Sequence, residues 1–225
     1  MLMAILGRGI QRVNGYWEMT EDLEVCAPDK SHLPDRVPLD DANPDCLVGG
    51  GELNLLAGVE VHRRTPATVA VCAYAHRAPY LAKVGGPSES EVMSEKLSGL
   101  MNDRRLRLPE VCVWDRDRLG EDPSNTHREL ANVFALACER TIADVHVVTV
   151  SVHLPRIAVF ARSLTERDMR FRHLAVSLFA SEQVLVEACP AKYAPRVLGL
   201  WGSQAYTRTA FYERRGTVAF LQGRY

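Results

Sequence analysis

At 225 residues, 47% of them hydrophobic, the chain is long enough for one large domain with a real core, and disorder is excluded as its default state. Lys and Arg (27) nearly balance Asp and Glu (28), so no net field draws the protein to nucleic acid or to an anionic membrane surface. The run "MLMAILGRGIQRV" is too short for a secretory hydrophobic region, and no apolar stretch of about 18 residues occurs, which reads as a soluble, cytoplasmic protein with no membrane partner.

Taken in chain order, "MAILGRGI" and "CLVGGG" are apolar runs that stop at glycine, as a buried strand does when it enters a turn. Three more such runs follow, "ATVAVCAYA", "EVCVW" and "VHVVTVS". Between them lie helix-period segments: "ELNLLAGVEVHRR", "SESEVMSEKLSGLM" with Ser88 and Glu91 in capping-box spacing, "THRELANVFALACER", and "PRIAVFARSL" with Pro155 suited to a first turn. Continuous hydrophobicity in the strands, alternating with helices, predicts an α/β fold: Rossmann-like, doubly wound, with a mostly parallel sheet and helices on both faces. The strands ending near Gly49, Ala73, Trp114 and Val150 are expected in that one sheet. The whole chain, 1–225, reads as a single domain, with residues 11–45 a loop-rich insertion and residues 178–225 C-terminal helices used for packing.

Six cysteines sit singly among apolar residues, which reads as reduced core thiols without a zinc or disulfide framework. No H-x-x-x-H pair occurs, so no resident metal is predicted. His62, His127 and His173 read as surface groups and His146 as a strand edge.

In a doubly wound sheet, ligands bind outside the carboxyl ends of the strands, where loops converge and helix N-termini present unpaired N–H groups. Following the strand ends collects Gly7 and Gly9, then Gly49, Gly50, Gly51 and Glu52, then Glu91. Next come Glu121, Ser124, Asn125 and Thr126 from "EDPSNTHREL", and last Ser151, His153 and Arg156 after "VVTV". Glycine N–H groups and the Arg156 fork suit an anion, and His153 is the natural proton carrier. Glu121 or Glu91 can orient the imidazole, bind a ribose diol or hold a divalent ion. Thr126 with Glu129 has capping-box spacing, which makes Glu121, Ser124 and Asn125 surplus to the helix and places them toward a ligand. "GRGIQR" resembles half of a dinucleotide fingerprint, but Arg12 stands at the third-glycine position, so a tight turn outweighs nicotinamide binding.

The segments "LVGGGE", "SESEVM", "EDPSNTHREL" and "VVTVSVHLPRIAVF", between about residues 45 and 165, together resemble the SanA/YdcF-like family, the domain of unknown function numbered 218. The chain reads as a soluble member without a membrane anchor. By resemblance, Gly49 to Gly51, Glu91, Glu121, Ser124, Asn125, Thr126, His153 and Arg156 match the family's polar pocket positions. Val152 stands where an aromatic often precedes the family histidine, and Leu130 where a second amide often follows the motif's glutamate. The resemblance implies a Rossmann-like fold and a pocket for a nucleotide-like ligand, with S-adenosylmethionine or a divalent cation compatible as cofactor. The expectation is an enzyme acting by hydrolysis or group transfer on a nucleotide-like or phosphorylated small molecule, with His153 and Glu121 catalytic. The alternative is a non-catalytic regulatory module that binds S-adenosylmethionine or a nucleotide.

Overall fold

The computed structural model describes residues 1–25, 41–43, 45–73, 81, 84–112 and 125–224. Glu121, Ser124 and the strand end expected at Trp114 lie outside the described residues. Five strands form one parallel sheet: β1 (Leu2–Ile5), β6 (Val69–Cys72), β7 (Glu110–Cys112), β8 (Asp144–Thr149) and β9 (Ala175–Ala180). Their order is β7-β6-β1-β8-β9, with Ile5 opposite Cys72 on one side and Val148 on the other. In order of appearance this is 3-2-1-4-5, the doubly wound Rossmann-like arrangement.

The sheet is covered on both faces, which explains the unbroken apolar runs. On one side Met3, Ile5, Ala70, Cys72 and Val148 pack against α1 (Gly51–Arg64), α2 (Glu89–Asp103), α5 (Ser181–Ala188) and α6 (Pro190–Trp201). On the other, Leu2, Ala4, Val69, Val71, Val145 and Val147 pack against α3 (Thr126–Glu139) and α4 (Leu154–Arg167). The last helix, α7 (Gln204–Leu221), lies against α4 and sends Phe220 into that second core. Each central strand thus buries alternate residues in different cores, and a period-2 polar face never appears.

The run at Gly49 departs from expectation. It forms β5 (Cys46–Val48), which pairs antiparallel with β4 (Leu23–Val25) outside the main sheet, Leu23 opposite Val48. Both sides of β1 are already taken by β6 and β8, and a short buried run reads the same with either kind of partner. The insertion is also more regular than a loop. Residues Ile10–Val13 (β2) and Tyr16–Met19 (β3) form a hairpin. Its turn is Asn14-Gly15, both at positive φ (51° and 84°), as a two-residue turn between right-twisted strands requires. At the other end, "AVSLFA" is β9, so the C-terminal helices begin at Ser181 and not at 178.

Two histidines also differ from their expected surroundings. His62 is buried on α1, its Nε2 donating to the Arg107 carbonyl at 2.8 Å and its Nδ1 accepting from the Ala67 N–H. His146 sits in β8 between β1 and β9 and is not at an edge. The five described cysteines are free thiols, and burial pushes the Cys72 thiol up to about 12.

Gly50 shows why this loop is glycine. Its φ is +85°, and a Cβ there would overlap Val150 Cγ1. Gly50→Ala is therefore expected to lower stability by about 2 kcal/mol, combining left-handed backbone strain with overpacking. In a urea-denaturation double-mutant cycle the substitution should cost less when Val150→Ala is also present. Equal costs in the two backgrounds would place the whole effect in the backbone.

Candidate functional site

The sheet order reverses at β1, because its continuation runs to β6 on one side and to β8 on the other. Ligands of open α/β sheets lie outside the strand ends at such a point. Here it is formed by the turn Gly7-Arg8-Gly9 after β1 and by the Ser151–His153 turn after β8.

Two carboxylates meet the first turn. Glu89, the first residue of α2, accepts from the Gly9 N–H, and Glu129, in the first turn of α3, accepts from the Gly7 N–H. A Cβ at Gly7 would lie 2.6 Å from the carboxyl carbon of Glu89, so only glycine admits the carboxylate this close. Both acids also sit at helix N-termini, where the helix dipole favours negative charge. Glu129 is nonetheless 8% exposed, and burial first, then the charge of Glu89, raises its pKa to about 8 against the opposing Gly7 hydrogen bond. It is a protonated acid at neutral pH, beside a partner that retains part of its exposure.

The turn after β8 carries a closed cluster. His153 is 3% exposed, and Arg156 Nη2 lies 3.0 Å from its Nε2. A guanidinium can only donate, so Nε2 is the lone-pair nitrogen and the proton sits on Nδ1, facing Thr149 Oγ1 at 3.2 Å. Burial, then the charges of Arg8 and Arg156, hold the His153 pKa well below its ordinary value. The imidazole is thus neutral, with Nε2 engaged by Arg156 and Nδ1 by Thr149. Glu213, from α7, makes ionic contacts with Arg156 Nε at 2.8 Å and Arg8 Nη1 at 3.6 Å. Gly216 leaves room for this, since a Cβ there would lie 2.8 Å from Arg156 Nη1.

The glycine loop expected to cradle an anion has its N–H groups in use. Gly49 and Gly50 donate to the carbonyls of Asp22 and Glu21, Gly51 to Thr20 Oγ1 at 3.1 Å, and Glu52 to the Thr20 carbonyl. The carbonyls of Val48 and Gly49 accept from Arg8. Gly49, Gly50 and Gly51 are therefore a joint between the insertion and β1. The Glu52 carboxylate is 2.6 Å from Arg196 Nη2. Glu91 forms the expected capping box, its Oε2 accepting from the Ser88 N–H at 2.6 Å. Ser151 donates its N–H and hydroxyl to the buried Glu182, both at 2.7 Å, with Tyr206 Oη 3.1 Å from Ser151 Oγ.

The start of α3 corrects a further expectation. Asn125 is the N-cap, its Oδ1 accepting from the Arg128 N–H at 2.9 Å, and Thr126 is already helical. The capping-box spacing from Thr126 is unused because Glu129 turns to Gly7. His127, expected at the surface, lies between the rings of Phe160 and Phe220, with centroids at 5.4 and 5.1 Å. Of the residues chosen from sequence, Ser151, His153 and Arg156 come together at the switch point. Glu91 and Asn125 stay at their own helix ends, while Glu52 is tied to Arg196.

Sequence reading missed Glu89, Glu129 as a site group, Arg8, Glu182 and Glu213. Only the Gly-x-Gly after β1 signalled a close approach there. Two clefts are lined without either member of the carboxylate pair, one of about 500 Å³ beside Trp17, Pro87, Glu91 and Glu95, the other of about 340 Å³ beside Met19, Glu52 and Leu55. The Lys96–Glu18 ion pair lines both. Among the described residues, no three His, Cys, Asp or Glu side chains are grouped to hold a metal ion. No family model matches the chain, nor does any curated protein or solved structure.

Asn125→Ala should destabilise the protein by about 1 kcal/mol and Thr126→Ala by less than half of that, read from denaturant midpoints. A second expectation concerns pH. Because the folded pKa of Glu129, about 8, exceeds its ordinary 4.5, the folded chain retains a proton that the unfolded chain releases. Its contribution to stability is therefore full below 4.5, falls as pH rises to about 8, and levels off above. Glu129→Gln should flatten this part of the stability profile; an unchanged slope between the two proteins would count against a protonated Glu129.

Proposed function

We propose that the chain is an enzyme acting by hydrolysis or group transfer on a nucleotide-like or phosphorylated small molecule at the carboxyl ends of the parallel strands. The observation that carries this reading is the carboxylate pair: Glu89 and Glu129, from two helix N-termini, are held by the N–H groups of Gly9 and Gly7 where the sheet order reverses. Two carboxyl groups in unlike surroundings divide acid and base work between them. Glu129, buried and protonated, donates to the leaving-group oxygen. Glu89 accepts the proton of the attacking water or hydroxyl as its oxygen bonds to the transferred group and the leaving-group bond breaks, and that proton then passes from Glu89 to Glu129, which restores both groups.

An anionic substrate suits the turn after β8. Arg8 and Arg156 bring two guanidinium groups to this turn beside a neutral His153, in a partly buried setting where charge is weakly screened. His153 and Glu213 hold the Arg156 fork in place.

The test is a panel of nucleotides and phosphate esters, followed by mass spectrometry for products and by calorimetry for binding. Glu129→Gln is expected to lower turnover by about a hundredfold or more while leaving affinity nearly unchanged. In the parent, kcat should fall as pH rises through about 8. Binding without turnover in the parent would replace the enzyme with the regulatory module. Turnover insensitive to Glu129→Gln and Glu89→Gln would move the chemistry elsewhere.

A further inference from the structure

The charge balance of the whole chain hides a local imbalance. From residue 189 to 225 the sequence holds six Lys or Arg and a single acid, Glu213. That acid is buried on the inner face of α7, along with Ala205 and Thr209. Of the cations, Arg196 is paired with Asp22 and Glu52, and Arg208 with Asp41. Lys192, Arg214, Arg215 and Arg224 are exposed.

The outer face of α7 is apolar as well as cationic. Phe211 is 58% and Leu221 68% exposed, with Val218 between them on the same side, Arg214 and Arg215 interleaved, and Tyr212 flanking. The Arg215 guanidinium lies over the Phe211 ring, 5.7 Å from its centroid. The preceding helix, α6, which touches α7, adds exposed Leu198 and Trp201. Scattered apolar side chains need no explanation, but a helix face built of them marks an interaction surface.

Charge decides between occupants. A second copy seated face to face would bring Arg214 and Arg215 against the same arginines, with no acid on that face of α7 to receive them. An anionic bilayer matches both features: guanidinium groups reach lipid phosphates while Phe, Leu and Trp side chains enter the boundary of the acyl region. We propose that the outer face of α7, with the exposed residues of α6, docks peripherally on an anionic lipid surface. The helix lies in the plane of the interface. Among the described residues, no helix is long and apolar enough to cross a membrane.

The experiment is flotation of the full chain with vesicles of phosphatidylcholine alone or mixed with phosphatidylglycerol. The parent should float only with the anionic vesicles and be released by salt. Arg214→Gln with Arg215→Gln should weaken binding roughly thirtyfold, at the usual worth of a basic residue near such a surface. Phe211→Ser with Leu221→Ser should weaken it without removing its salt dependence, and circular dichroism checks that both variants are folded. Equal flotation with both vesicle types overturns the proposal, as does parent-like binding by the arginine variant. Failure to float, combined with capture by an acidic polypeptide such as polyglutamate, overturns it in favour of a protein partner.

Discussion

The rest of the structure depends on how the turn after β1 disposes of its polar groups. A parallel strand in the middle of a sheet delivers its chain end into a buried crevice, where unmatched N–H groups are costly. Gly7 and Gly9 meet that demand with the carboxylates of Glu129 and Glu89, and Arg8 between them fastens to the carbonyls of Val48 and Gly49. Thr20 then joins the same turn to the start of α1, donating to the Arg8 carbonyl and accepting from the Gly51 N–H. One three-residue turn thereby links both sheet faces, the hairpin insertion and α1. The same arrangement brings two acids together, and their closeness with burial keeps one of them protonated.

This gives the site an asymmetry that its residue types alone do not. The imidazole, ordinarily the group that titrates near neutrality, is held neutral by burial first and then by two guanidinium groups. A carboxyl group takes over the neutral range. Burial acts in both cases against the charged form, lowering the value for a base and raising it for an acid. The two turns consequently differ: one is met by a protonated carboxyl group, the other holds two guanidinium groups around a neutral imidazole.

The fold was legible because strand runs, helix periods and the Ser88–Glu91 cap are local signals, and the structure uses them locally. The hairpin carries a local signal too, since Asn14-Gly15 is a turn pair that accepts positive φ, but the Pro- and Asp-rich composition beyond it reads as loop, and the hairpin was not expected. The site was less legible for a physical reason. In "SESE", spacing identifies Glu91 as the cap residue, yet nothing local shows that Glu89 faces a glycine turn 80 residues away. The spacing from Thr126 to Glu129 pointed to a cap, but burial of Glu129 against Gly7 prevailed and Asn125 capped the helix instead. Glycine-rich loops are ambiguous in the same way: the N–H groups of Gly49 to Gly51 could meet an anion or a neighbouring segment, and the insertion supplies the segment Thr20 to Asp22.

The C-terminal helix unites these themes. Its inner face is committed to the site, where Glu213 joins Arg8 and Arg156, Thr209 Oγ1 accepts from the Val48 N–H, and Tyr206 meets Ser151. Spending its only acid inward leaves the outer face with uncompensated arginines. The pairing of Arg8 and Arg156 with Glu213 and the cationic character of the exposed surface are therefore one distribution of charge, seen from the two sides of α7.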